Sequence, residues 1–219
     1  MDQERELRRY DRLRDPTRVL ALSDGVFAIV LTLLVLEVQV PDLGGGQTLG
    51  EALAEVRPSF IGFLISFVVT AIAWTGHRDL FALIKRMDRN LVWLNILYLF
   101  PLSLLPFGAA LISRHQLEPV ALRMYGLVVA LITLTRLGVW LYATSRPHLL
   151  FEPISRRTRT VGVLIVAIPA TFYVLAILIS AAAPALSLLI YAGVPILYFI
   201  GLFLERSTAP PGAAEEDFT

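Results

Sequence analysis

The chain contains no cysteine, and its 219 residues include a single lysine and three histidines. The lack of cysteine excludes disulfides, thiolate metal ligands and cysteine nucleophiles. The histidines are dispersed along the chain, which argues against a catalytic metal site. No nucleophile stands beside a base, and no glycine-rich phosphate loop is visible. The sequence therefore predicts neither an enzyme nor a bound cofactor or metal.

Charged residues are also scarce and nearly balanced in sign. They make up 17% of the chain, and the formal net charge is +1. The charges are segregated along the chain rather than gathered in one patch, so no nucleic-acid partner is expected. By contrast, 56% of the residues are hydrophobic and the mean hydropathy is +0.69. This composition is typical of an integral membrane protein, whose constant partner is the lipid bilayer.

Six apolar runs are long enough to cross the hydrocarbon core of a bilayer as helices. They predict an all-α protein with a membrane domain over residues 16–205. The predicted spans cover about residues 16–40, 58–77, 91–112, 120–143, 161–182 and 185–204. The third span contains Asn95, Pro101 and Pro106, so we expect it to be kinked.

The arginines predict the orientation of these spans. They are concentrated in residues 1–15, in the loop between the second and third spans, in residues 145–160 and at Arg206. The positive-inside rule places all of these segments, and therefore both termini, in the cytoplasm. Residues 1–15 form a charged arm without the pattern of a signal peptide, and residues 206–219 form a disordered tail. The preference for arginine over lysine suggests a GC-rich bacterial genome, so the predicted location is a bacterial plasma membrane.

The first span has an ionisable residue inside it. Asp15 can cap the helix and Pro16 suits its first turn. At 1.5 Å per residue, Asp24 then lies about 12 Å inside the helix. An ionisable side chain within a membrane costs at least about 2.5 kcal/mol unless it has a partner or faces water. Asp24 is therefore a candidate functional residue.

Two faces of the first span can be separated, since successive helical residues point about 100° apart. Ile29 and Leu36 lie on a stripe at about 100–140° from Asp24, flanked by Thr32 and Leu33. This stripe can face an axis shared between subunits while Asp24 turns towards helices of its own subunit. On spacing alone, an Ile/Leu stripe is more typical of ordinary helix packing.

The same span carries a family signature. Arg18, Leu22-Ser23-Asp24 and the runs Gly25 to Ile29 and Thr32 to Leu36 resemble the signature of the transmembrane protein 175 family of potassium channels. The family pattern is Arg-x-x-x-Phe-Ser-Asp, and here Leu22 replaces the phenylalanine. The resemblance implies a passive channel that conducts K⁺ in preference to Na⁺. It also implies a homotetramer of six-span chains, with the first span of each chain lining a central pore.

The resemblance also assigns roles to individual residues. The narrowest apolar layers of the pore, and its gate, match Ile29, Leu33 and Leu36, and Thr32 matches a position that contributes to ion selectivity. Because no TVGYG-type carbonyl filter is present, selectivity has to come from another device, such as this apolar constriction. The last three spans carry no family motif and are expected to be scaffold.

Polar residues of the second and third spans lie at a depth similar to that of the motif. Trp74, His77 and Asn95 could join Ser23 and Asp24 in one hydrogen-bonded network. The resemblance implies such a structural network, with Arg18, Ser23 and Asp24 tied to the three polar residues, and it also covers Pro106-Phe107. The alternative is that His77 and Asn95 are interfacial residues bonded to water or backbone.

A second class of function stays open from the sequence. In a proton-coupled secondary transporter, Asp24 and His77 would relay protons. Such a transporter needs a substrate cavity near the midplane and alternating access. Asp24 lies close to the cytoplasmic end of its helix, and the two three-span halves show no evident repeat, so the channel is favoured.

Two further charges lie within or beside the spans. Arg136 is in the middle of the fourth span, where it either pairs across helices or reaches a water-filled crevice. Glu37 lies near the outer end of the first span, to one side of the stripe. It either contributes to a cation-attracting field at the outer mouth or is simply a solvated interfacial residue.

Overall fold

The computed structural model describes residues 15–43 and 46–208, with side chains up to residue 198. The predicted N-terminal arm, apart from Asp15, and the tail beyond Thr208 lie outside the described residues. The described segments are helical, as predicted, apart from loops and one isolated β-bridge. The helices are α1 (Thr17–Val35), α2 (Leu49–Glu55), α3 (Arg57–Ala82), α4 (Arg89–Ser103), α5 (Leu105–Arg114), α6 (Pro119–Thr144), a 3₁₀ turn (Pro147–Leu149), α7 (Arg156–Ile179) and α8 (Pro184–Thr208).

Five helical stretches in the described part of the chain are long and apolar enough to cross a membrane. They are α1, α3, α4 with α5, α6 and α7. The predicted sixth span coincides with α8, whose first part, Pro184–Tyr198, is a shorter apolar helix. Two bounds differ from the sequence-based ones. α1 ends at Val35, and the residues that follow form 3₁₀-type hydrogen bonds, in which each N–H binds the carbonyl three residues earlier. α3 continues to Ala82 because no helix-breaking residue follows His77.

The third predicted span is broken at Leu104, which separates α4 from α5. Pro101 has no N–H to donate within α4, and Pro106 takes the second position of α5, where a free N–H is not needed. Hydrogen bonds from Leu104 N to Pro101 O at 3.1 Å and from Gly108 N to Leu104 O at 3.1 Å join the two helices. The expected kink is therefore present.

α1 lies at the edge of the bundle. It packs against α3, α4 and α5, whereas α6 is surrounded by α4, α5 and α7. One face of α1 is buried, and it carries Phe27, Val30 and Leu34, which are at most 2% exposed. The opposite face of α1 is not covered by any described helix of the same chain.

The loops that follow α3 and α6 are tied together at the predicted cytoplasmic side. Ile84 and Leu150 form an antiparallel bridge. Lys85 N donates to Leu149 O at 2.8 Å, and Phe151 N donates to Leu83 O at 3.1 Å. This pairing holds the inner ends of α3 and α6 at a defined separation.

Candidate functional site

A chain of buried hydrogen bonds joins α1, α3 and α4. Ser23 and Asn95 are completely buried, and His77 is 3% exposed. The Asn95 Nδ2 donates to Ser23 Oγ at 3.0 Å, and the Ser23 hydroxyl donates to Val19 O at 2.9 Å. On the other side of Asn95, its Oδ1 lies 2.8 Å from His77 Nε2. Three helices are therefore linked through one asparagine side chain.

The direction of these bonds determines the state of the histidine. The Ser23 hydroxyl uses its proton on Val19 O, so it accepts from the Asn95 amide group. The Asn95 carbonyl oxygen then faces His77 Nε2, which must carry a proton to donate. His77 Nδ1 is buried and has no hydrogen-bond partner among the described residues. The arrangement therefore favours a proton on Nε2.

Aromatic side chains enclose the imidazole ring. It stacks on Phe81 with ring centroids 4.1 Å apart and is nearly parallel to Tyr98 at 5.7 Å. Phe27 of α1 contacts the same ring at 5.6 Å. Tyr98 donates its hydroxyl to Ala73 O at 3.2 Å and is 1% exposed. Tyr98 lies three residues after Asn95, which places both side chains on one face of α4.

A second, separate contact connects α1 to α3. Trp74 Nε1 donates to Asp24 Oδ1 at 3.0 Å, and the Arg78 guanidinium lies 5.5 Å from the centre of the Trp74 ring. No hydrogen bond between described residues links this pair to the chain through Asn95. The predicted single network is therefore present as two sets of contacts. The contact of Arg78 was not predicted. It could have been expected, because Arg78 follows Trp74 by four residues and lies on the same face of the helix.

Asp24 turns towards a helix of its own subunit, as predicted, because Trp74 of α3 donates to it. Its side chain is nevertheless exposed, as are Ala28 and Val35 on the same side. The residue that turns inward is Ser23, which faces Asn95. Adjacent helical residues point about 100° apart, so Asp24 is directed to the edge of α3.

Arg18 is not part of either set of contacts. It is exposed, and within residues 15–43 and 46–198 it makes no hydrogen bond or ion pair. Asp15, by contrast, accepts hydrogen bonds from the Thr17 N–H at 2.9 Å and the Thr17 hydroxyl at 2.5 Å. Asp15 thus binds the first residue of α1, but the N-cap position is Pro16, which has no side-chain capping bond.

The four residues predicted to line the pore share the uncovered face of α1. Ile29 is 59% exposed, Leu33 41% and Leu36 66%, and Thr32 is also exposed. The Thr32 hydroxyl donates to the carbonyls of Ile29 at 2.9 Å and Ala28 at 3.1 Å. Its proton is therefore used within the helix, and both lone pairs of the exposed oxygen remain free to accept.

Glu37, just after α1, is paired rather than free. Its Oε2 lies 3.6 Å from Arg114 Nη2 at the end of α5. The Glu37 side chain is 25% exposed and that of Arg114 is 63% exposed. The pair connects the end of α1 to the outer end of the broken span.

Known proteins resemble this chain in sequence and in fold. The family model described as endosomal/lysosomal potassium channel TMEM175 matches residues 18–106. A potassium channel of Streptomyces collinus is 36% identical over 145 residues, which are 64% of this chain and 70% of that protein. A Gallus gallus protein named endosomal/lysosomal proton channel TMEM175 is 28% identical over 138 residues, which are 63% of this chain and 28% of that protein.

A solved structure shares the arrangement of helices. It is the crystal structure of a lysosomal potassium-selective channel TMEM175 homologue from Chamaesiphon minutus, with a TM-score of 0.73 and 28% sequence identity. The match covers 88% of this chain and 98% of that chain. These findings confirm the resemblance carried by Arg18 to Leu36: the chain belongs to the TMEM175 family of potassium channels.

Proposed function

We propose that the chain is the subunit of a passive channel that conducts K⁺ in preference to Na⁺ across a bacterial plasma membrane. It is a channel protein and not an enzyme, in keeping with its family. Six spans with cytoplasmic termini form each subunit, and four copies form the channel. The observation that carries this proposal is the uncovered face of α1.

That face is unusual for a surface in contact with lipid. Apolar exposure occurs on every span, because lipid covers such surfaces. The open side of α1 also exposes Arg18 and Thr32 in addition to its apolar stripe. Charged and polar side chains within a membrane normally face the protein interior or water. A water-filled axis surrounded by copies of α1 meets this requirement.

One subunit supplies one α1, so a pore along this face needs several copies. Identical faces close around an axis most simply by rotational symmetry. In the proposed homotetramer, Ile29, Leu33 and Leu36 each occur four times and form three apolar rings. Such rings can close the pore by losing their water.

The same rings account for a preference for potassium. K⁺ gives up its hydration water at a lower cost than Na⁺, so a constriction narrower than the hydrated ions penalises Na⁺ more. Thr32 lies three residues from Ile29, and its hydroxyl oxygen has a lone pair on the open side. Four such oxygens can replace part of the water that a permeating cation loses.

The two sets of polar contacts anchor α1 in this position. The hydrophobic effect does not drive helices together within lipid, so hydrogen bonds and close packing decide where a helix lies. Asn95 holds Ser23 on α4, and Trp74 holds Asp24 on α3. Ser23, Asp24, Trp74, His77 and Asn95 thus act as a structural motif rather than as ion ligands, whereas Arg18 stays outside both sets of contacts.

A proton-coupled transporter is the alternative, and the geometry gives it little support. Asp24 is bonded to Trp74, and the one hydrogen-bonding nitrogen of His77 faces Asn95. The two ionisable groups therefore have no direct hydrogen bond through which a proton could pass. The name of the Gallus gallus relative still makes H⁺ the competing ion to test.

Ion flux into liposomes that contain the purified protein tests the proposal. We expect Ile29→Asn to raise total flux and to reduce the preference for K⁺ over Na⁺, because polar side chains keep the constriction wet. Ile168→Asn is the matched control, since Ile168 is 53% exposed on the distant helix α7. If Ile29→Asn behaves like Ile168→Asn, and transport instead requires a pH gradient and is lost in Asp24→Ala, the channel proposal is wrong.

A further inference from the structure

Arg136 is a charged residue that the pore does not use. It lies eight residues before the end of α6, about 12 Å from the predicted cytoplasmic end. Its guanidinium rests directly on the backbone of Gly76 in α3, where a Cβ atom would overlap it. Gly76 is therefore required for the close approach of this side chain.

The guanidinium has no partner within the part of the chain that the structure describes. Arg136 makes no hydrogen bond and no ion pair with the side chains and backbone described for residues 15–43 and 46–198. A guanidinium carries five N–H donors and remains charged at any physiological pH. Within a membrane these donors need an acceptor or water.

A half-open cavity of about 240 Å³ begins at Arg136. It extends between α3, α6, α7 and α8, and its lining includes Gly76, Asp79, Leu83, Arg136, Trp140 and Gly162. Leu83 and Gly162 lie at the cytoplasmic ends of their helices. Gly162 is packed on the Trp140 ring, and Trp140 Nε1 donates to Arg159 O at 3.3 Å, which holds this wall in place.

The charges around the cavity favour an anion. The carboxylate of Asp79 also lines the cavity, but it is 2.9 Å from Arg78 Nη2 and 63% exposed, so its charge is already compensated. Exposed basic residues flank the mouth on both sides, namely Lys85 and Arg86 after Leu83, and Arg156 and Arg157 before Gly162. Such clusters at the inner surface attract anionic lipids.

The apolar walls favour a lipid over a free ion. Leu80, Ile165 and Val166 line the same cavity, and a smaller one of about 60 Å³ continues beyond Arg136. Pro169 and Pro195 line this second cavity. Proline interrupts the hydrogen bonds of a helix, and α7 and α8 leave a gap at these two positions. The site therefore combines one cationic contact with an apolar groove.

We propose that this groove binds an anionic phospholipid of the cytoplasmic leaflet, with the lipid phosphate on Arg136 and part of the lipid along the apolar walls. The guanidinium and a phosphate match in geometry, since parallel N–H groups can bind two phosphate oxygens. The site is independent of the pore face of α1, because it lies between α3, α6, α7 and α8. Its test is a binding measurement, so it can fail while the channel proposal stands.

The experiment is a titration of the delipidated full-length protein with phosphatidylglycerol in detergent, followed by native mass spectrometry and thermal unfolding. Arg136→Met is expected to weaken binding by about tenfold, the effect of losing one charge-assisted contact. Arg136→Lys keeps the charge and is expected to retain most of the affinity. Arg89→Met is the matched control, since Arg89 is an exposed arginine at the start of α4, a helix that does not line the cavity.

A second variant keeps the test valid if Arg136→Met does not fold. Leu83 lines the groove near its mouth and is 38% exposed. Leu83→Trp therefore fills the mouth of the groove without changing its charge. Loss of phosphatidylglycerol binding in a folded Leu83→Trp variant supports the proposal. Unchanged binding in Arg136→Met or in Leu83→Trp overturns it. Equal stabilisation by inorganic phosphate at the same concentration also overturns it, because the site would then hold a free anion rather than a lipid.

Discussion

The Asn95 Oδ1 lies 2.8 Å from His77 Nε2 while the Nδ2 of the same side chain donates to Ser23 at 3.0 Å. One amide thus uses its acceptor towards α3 and its donor towards α1. This polarity makes the contact specific for one rotation of α1 about its own axis.

Ser23→Ala is expected to destabilise the protein by about 1 kcal/mol, a usual value for a hydrogen bond between membrane helices. It removes the only acceptor that α1 offers to Asn95 and leaves a buried amide N–H unpaired. The measurement is thermal unfolding of the purified protein in detergent.

Ser103→Ala is the control for this substitution. Both serines donate to a carbonyl of their own helix, Ser23 to Val19 and Ser103 to Phe100, but Ser103 is exposed and accepts from no other helix. Equal loss of stability in the two variants would contradict the anchoring role of Ser23.

Trp74→Phe is expected to reduce the preference for K⁺ over Na⁺ with little loss of expression. The ring volume is nearly kept, but the N–H bonded to Asp24 is lost, so the cytoplasmic half of α1 is held less firmly on α3. Flux of both ions into liposomes measures the change. Trp93→Phe is the control, since Trp93 is 59% exposed on α4. An unchanged preference in Trp74→Phe would show that this contact does not position the pore face.

Thr32→Val is expected to lower the preference for K⁺ while total cation flux persists. The two side chains have the same shape, and only the hydroxyl oxygen that faces the proposed pore is removed. Thr171→Val provides the control, because Thr171 is exposed on α7 and its hydroxyl makes a similar bond to its own helix, at 3.0 Å to Ala167 O. An equal selectivity ratio in Thr32→Val and Thr171→Val would contradict the proposed contribution of Thr32 to ion selectivity.

The short helix α2 is expected to lose its capping at acidic pH. Glu51 accepts hydrogen bonds from the backbone N–H and the hydroxyl of Thr48, both at 2.8 Å, and the backbone bond is the main cause that lowers the Glu51 pKa from its ordinary value of 4.5. The stabilisation is therefore present above pH 4.5 and is lost as the pH falls through the lowered pKa of the folded state. An NMR titration of the Glu51 carboxyl measures this value.

Thr48→Ala separates this effect from general titration of the surface. Without the Thr48 hydroxyl the capping box is incomplete, so the Glu51 pKa should return part of the way towards 4.5. The backbone bond can persist, so a full return is not expected. A pKa that does not change in Thr48→Ala would mean that the hydroxyl does not contribute to the shift.

The helical class, the long apolar stretches and the family could be predicted from the sequence. A hydrophobic run of membrane length predicts a helix, because the backbone N–H and C=O groups have no water to bind in lipid and form their hydrogen bonds within the helix. The signature from Arg18 to Asp24 is local in sequence, so it could be recognised without knowledge of the packing. The polar residues that meet in space, Ser23, His77 and Asn95, were also predicted together from their similar depth.

What the sequence did not determine was the rotation of each helix about its axis. Periodicity separates the faces of α1 but does not say how deeply each face is buried, so the sequence did not show that Ser23 is fully buried while Asp24 stays exposed on the edge of α3. Arg18 was expected in the network and makes no hydrogen bond or ion pair with the described residues, whereas Arg78 reaches the Trp74 ring.

Sequence alone thus determined the class of protein, because hydropathy and a local motif depend only on neighbours along the chain. Tertiary structure decided which polar groups are partners, because a hydrogen bond is made only within about 3 Å and at a suitable angle. It also decided that Arg136 rests on Gly76 at the head of a groove. That contact joins residues 60 positions apart, and no spacing in the sequence records it.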